Sequence, residues 1–173
     1  MALDPGMRDA LNTHMGREFG AHFQYLEMNA WLEDQGLPEL ADFFGRQAAE
    51  EHVHAMKFFR HIVDMGGPAV IPAMDAPVAA FEDVESLVGM ALAQEQQVTR
   101  WIGELVTKAR EVNDHATEVF LQWFVTEQIE EEATMGELLQ VVRHGGPGGL
   151  LLVEDHVARR LSGGAGPAAG GAA

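Results

Sequence analysis

The nine residues AAEEHVHAM, residues 48–56, place two adjacent glutamates and two histidines in the middle of a segment that otherwise has the period of an amphipathic helix. A buried helix face is normally apolar, because an uncompensated charge in a core costs several kcal/mol. Glu51 and His54 are three residues apart, so both fall on the face that the helix must bury. The fold and the function both turn on whether other segments bring matching groups to the same level.

Working outward, the helical period divides the chain into four long segments. The first begins at Asp4, an N-cap followed by Pro5, and runs to about Asp34, where the turn DQGLP breaks it. The second covers residues 38–64 and stops at MGGP. The third covers residues 83–112, and the fourth runs from the turn at Asn113 and Asp114 to about His144, before GGPGG. A short apolar stretch, LLLVEDHVARRL, predicts a fifth helix of about three turns. Residues 1–162 thus form one domain, and residues 163–173 a flexible Gly/Ala-rich tail.

Four long helices of similar length predict an all-α four-helix bundle. The turns near residues 36 and 113 are short, which makes the first and second helices antiparallel, and likewise the third and fourth. Residues 66–82 carry three prolines and no helical period. Extended, these residues reach at most ~56–61 Å, and a helix of this size is ~42 Å long. The segment can therefore cross the full bundle and leave the second and third helices parallel.

The buried stripes, followed at steps of three and four residues, show what the bundle contains. The first runs through Met7, Leu11, His14, Glu18, Ala21, Tyr25, Met28 and Leu32. The second includes Phe44, Ala48, Glu51, His54, Phe58 and Ile62, and the third Val88, Ala91, Glu95, Val98 and Ile102. The fourth runs from Ala116 through Phe120 and Trp123 or Phe124 to Gln128, Glu131 and Met135. Each stripe is interrupted by one carboxylate, and the first also carries His14, away from the middle. Glu18, Glu51, Glu95 and Glu131 lie about 14, 13, 12 and 16 residues from their helix starts, so a rise of 1.5 Å per residue brings all four to mid-bundle. No lysine or arginine on these stripes answers them. With His54 and Gln128, the set suits two adjacent divalent ions of the iron or manganese type.

Composition restricts the alternatives. The chain has 173 residues, is 47% hydrophobic and carries a net charge of −16, which disfavours nucleic acid and anionic membranes and concentrates cations. There is no cysteine, so disulfides and thiolate metal sites are excluded. No apolar run reaches the ~18 residues of a membrane span, and MALDPGMRDA lacks the layout of a signal peptide. A cytoplasmic location follows as an expectation.

With these residues in place, the chain resembles the bacterial non-haem ferritins, over Asp4 to about Leu161. The likeness rests on EEHVH, on FLQWFVTEQIEEE, on Glu95 in AQEQQ, and on Glu18 and Tyr25 seven apart. The resemblance implies a ferritin-like fold with a long crossover between the second and third helices and a short C-terminal fifth helix. It implies iron storage with ferroxidase activity, in which O2 oxidises Fe2+ at an intra-subunit di-iron centre and ferric oxide-hydroxide collects inside a 24-subunit shell. Glu18, Glu51, His54 and Glu131 would surround the first iron or bridge the pair, and Glu95, Gln128 and Glu131 would serve the second. Glu50, Glu127 and Glu130 match a third iron site, and Tyr25 a redox-active tyrosine. Trp123, at a matching position, reads as core, and His22 as a packed histidine beside the site. Gln128-x-x-Glu131 in place of a second Glu-x-x-His, with His52 where bacterioferritin carries its haem-ligating methionine, implies no haem. Of the two acidic rings that line the three-fold pore of animal ferritins, Glu118 matches one position and Leu121 replaces the other, which questions that route for iron. The competing reading is a di-iron oxidase of an organic substrate without a storage shell.

Overall fold

The computed structural model describes residues 3–161; the expected tail, residues 163–173, lies outside them. Four long helices, α1 (Pro5–Asp34), α2 (Pro38–Asp64), α3 (Val84–Glu111) and α4 (His115–Gly145), are followed by α5 (Leu150–His156). A turn of π-helix, Val157–Leu161, continues α5 and completes the expected three turns. None of the described helices is long and apolar enough to cross a membrane.

Local chemistry explains most helix ends. The Asp4 carboxylate accepts from the Met7 amide at 2.9 Å, with Pro5 in the first turn. Asp83 and Ser86 form a reciprocal capping box at α3, and Asp114 accepts from the Thr117 amide at α4. The α2 start differs: Leu37 offers no capping side chain. The Glu154 carboxylate, from α5, accepts instead from the amides of Glu39 and Leu40 at 3.0 and 2.9 Å. Gly36, Gly66 and Asn113 take positive φ just beyond the helix ends, where a left-handed residue stops the helix.

Side chains of α1 lay down the crossover. Asn12 donates to the Pro68 carbonyl and accepts from the Val70 amide, at 3.2 and 2.7 Å. Gln24 does the same with both backbone groups of Val78, and Trp31 meets Phe81 edge-on. The strap thus climbs α1 from Asn12 to Trp31 and delivers α3 to the end where α2 begins, so α2 and α3 are parallel as expected. A Cβ at Gly16 would stand 2.2 Å from the Pro72 ring, so this position on α1 must be bare for the strap to lie down.

The core falls into two apolar clusters. One holds Tyr25, Met28, Phe44, Ala48, Val88, Ala91, Met135 and Leu138. The other holds Leu11, Met15, Phe58, Val98, Ile102, Leu121 and Phe124. On every long helix the sequence passes from one cluster to the other across its glutamate, so Glu18, Glu51, Glu95 and Glu131 form a buried polar layer between them. Two expectations need correction on α4. Its buried stripe starts at Thr117, with Ala116 exposed, because the Thr117 hydroxyl is bonded to Asp114 and His61 and can be buried at little cost. Leu121 is therefore fully buried in the core and lines no surface.

Candidate metal centre

Glu18, Glu51, His54, Glu95, Gln128 and Glu131 are all buried, as is Tyr25. Glu18, Glu51 and His54 each place one ligating atom within 4.8 Å of the others, and so do His54, Glu127 and Glu131. His54 Nδ1 lies 3.3 Å from Glu51 Oε2 and 3.8 Å from Glu18 Oε2. Tyr25 donates its hydroxyl hydrogen to Glu95 Oε1, and Gln128 Nε2 donates to Glu95 Oε2 at 3.1 Å and to the Glu95 carbonyl at 3.2 Å. Glu95 is thus held at both oxygens. Glu18 is not: no amide, hydroxyl or aligned ring N–H reaches its two buried oxygens, and the Glu51 carboxyl lies beside it.

Protonation follows from burial and crowding. Burial, then the neighbouring Glu18, pushes Glu51 up to about 8. Burial with Glu95, Glu51 and Glu50 raises Glu131 to about 9, and burial with Glu51 raises Glu95 to about 7. Glu18 is raised as well, chiefly by burial. At His54 burial works against the charged ring, but the hydrogen bond to Glu51 and the surrounding carboxylates prevail and lift it to about 9. Tyr25 is held far above the phenol range by burial and by Glu95. Without a cation, the layer holds protons because burial, and then mutual repulsion, disfavours the charged carboxylates. Multivalent cations fit this chemistry: they would neutralise the carboxylates, Glu18 among them.

The remaining sequence-derived residues divide. Glu127 joins His54 and Glu131, and half-buried Glu50 accepts from Gln47 Nε2 at 2.6 Å. Glu130 is exposed and belongs to neither three-residue group. His22 Nδ1 lies 2.7 Å from the Ala48 carbonyl and pins α1 to α2, a packing role as expected. Trp123 departs from expectation: it is 40% exposed, stands edge-on to His54, and carries the Lys57 ammonium 3.4 Å above its ring. The aromatic spacing suits a core stripe, but at this register Phe124 takes the inward place. His14 lies not away from the site but against it, with Nε2 2.6 Å from Glu18 Oε1. The signal was present in the sequence as an i, i+4 pair of polar residues on one buried stripe.

A comparison with protein families matches the ferritin-like domain over residues 8–144. The chain belongs to the ferritin family. Ferritin BfrB of Mycolicibacterium smegmatis is 37% identical over 99% of this chain and 97% of its own length. The bacterial non-heme ferritin of Staphylococcus aureus is 38% identical over 76% of this chain and 79% of its own. Among solved structures, an open pore ferritin from Archaeoglobus fulgidus superposes with a TM-score of 0.88 at 30% identity, covering 92% of this chain and 99% of that one. Leu121, which the sequence comparison with animal ferritins set at a pore position, faces the core. Glu118 is bonded to Arg110 at 2.6 Å.

Proposed function

We propose that this protein oxidises Fe2+ with O2 at a di-iron centre within each subunit and stores the Fe3+ as oxide-hydroxide inside a homo-oligomeric shell, a 24-mer, in the cytoplasm. Iron storage is supported by membership of the ferritin family. The observation that carries the catalytic reading is the buried layer of four glutamates, which among the described residues no lysine or arginine answers, cutting an otherwise apolar core. In this reading Glu18, Glu51 and His54 bind the first substrate iron, Glu131 lies between the two, and Glu95 and Gln128 serve the second. Each Fe2+ gives up one electron and dioxygen takes both. The carboxylates favour Fe3+ by charge, and the apolar clusters above and below keep bulk water out. Tyr25 can donate a further electron to the partly reduced dioxygen while its hydroxyl proton passes to Glu95 Oε1, its hydrogen-bond partner. Glu50 and Glu127, half-buried beside His54 and Glu131, give Fe3+ an acidic way out of the layer, and Glu130 extends it at the surface as part of a third iron site.

The test is aerobic addition of Fe2+ to wild type and Glu51→Ala, following ferric absorbance and particle size. Wild type should oxidise on the order of 100-fold faster, the scale lost when reacting groups are misplaced by about 1 Å. Equal rates would remove the layer from the mechanism, and a monomeric or dimeric wild type would favour an oxidase without a shell.

A further inference from the structure

Among the described residues, five buried side-chain atoms lack an aligned hydrogen bond, and four of them belong to two neighbouring residues. They are the two ring nitrogens of His14 and the two oxygens of Glu18. His14 sits one turn before Glu18 on α1, fully buried, its ring 4.8 Å from that of Phe58 on α2. Its Nε2 is 2.6 Å from Glu18 Oε1, within hydrogen-bond distance but out of alignment. The other Glu18 oxygen, Oε2, lies 3.8 Å from His54 Nδ1. Glu18 is therefore a bridge between a histidine in the metal layer and a histidine outside it.

A neutral imidazole has one N–H, and leaving it buried and unbonded carries the full desolvation penalty of that donor. Glu18 Oε1 is the polar atom that the structure sets against it. The terminal torsion of a glutamate is soft, so a small rotation of the carboxylate aligns this contact. We propose that His14 is a positioning residue for iron binding: its Nε2–H holds Oε1 of Glu18, which keeps Oε2 turned toward Glu51 and His54. The proposal rests on reading Glu18 as an iron ligand. It adds the group outside the ligand set that orients it, the arrangement that usually tunes metal affinity.

Co2+ serves as the probe, titrated by calorimetry and visible absorption into metal-free wild type, His14→Gln and His14→Met. Gln keeps an N–H within reach of Glu18, whereas Met fills similar space without one. Affinity in His14→Met should fall 10–100-fold, the range for loss of such partners, while His14→Gln stays within about threefold of wild type. Unchanged affinity in His14→Met, or equal loss in both variants, overturns the proposal. A wild type that binds no Co2+ at all overturns the metal layer itself, a separate result. A crystal of wild type grown with Co2+ reads the geometry without any substitution: an aligned Nε2–Oε1 hydrogen bond supports the proposal, and His14 bonded to cobalt or turned away refutes it.

Discussion

Glu51, Glu95 and Glu131 carry protons to about 8, 7 and 9, while the same groups in an unfolded chain release theirs near 4.5. Between those limits the folded, metal-free protein binds more protons than the unfolded one, so its stability falls as pH rises. His54, raised from 6.5 to about 9, acts in the same direction over pH 6.5–9. His14 has the opposite sign, since burial lowers it to about 3, but its contribution is lost only as pH drops below 6.5. From pH 7 to pH 9 the layer therefore pulls one way. The urea midpoint of metal-free protein should decrease over that interval, and Glu131→Gln should flatten the decrease, because glutamine has no proton to lose. An identical slope in both proteins would mean that the layer is already hydrated and ionised.

At the scale of elements, the helices are joined by contacts that reach far along the chain. Glu154 lies over a hundred residues beyond the two α2 amides it receives, and it does there what Asp4, Asp83 and Asp114 do locally. The same bond ties α5 to α2, beside the burial of Val153 and Val157, so the α2 start and the α5 position share one carboxylate. Replacing an N-cap by alanine costs about 0.5–2 kcal/mol. Glu154→Ala should lose about that much stability, with faster hydrogen exchange at the Glu39 and Leu40 amides and faster proteolysis between residues 146 and 149. Unchanged exchange at those two amides would show that the cap contributes nothing. The strap depends likewise on Asn12, Gln24 and the missing side chain of Gly16, which together hold residues 66–82 along α1.

At the scale of the molecule, a charge of −16 keeps copies apart unless apolar surface draws them together. Docking of α5 buries Val153 and Val157 in the core and leaves Leu151 and Leu152 82% and 72% exposed, a patch that a lone bundle has no reason to present to water. In the shell reading this patch meets other copies. Leu151→Glu combined with Leu152→Glu should therefore yield small, helical particles by light scattering, with each bundle still binding Co2+. A double variant that retains the wild-type mass would place the contacts elsewhere.

The polar layer could be read from the residues alone, because helical period and rise are properties of the backbone: a glutamate on a buried stripe at a known residue count has a defined face and level. The helix count, the reach of the crossover and the Glu-x-x-His pair follow from the same regularity. What period cannot supply is the rotation of a helix end or the partner of a side chain. The α4 stripe enters at Thr117 and not Ala116 because His61 and Asp114 satisfy the hydroxyl there, and that turns Leu121 inward. His14 beside Glu18 was legible as an i, i+4 pair, but Trp123 half out of the core and Glu154 on the α2 amides were decided only on folding. Each depends on a rotamer or a contact between helices, and such energies belong to the packed molecule, not to any segment of the chain.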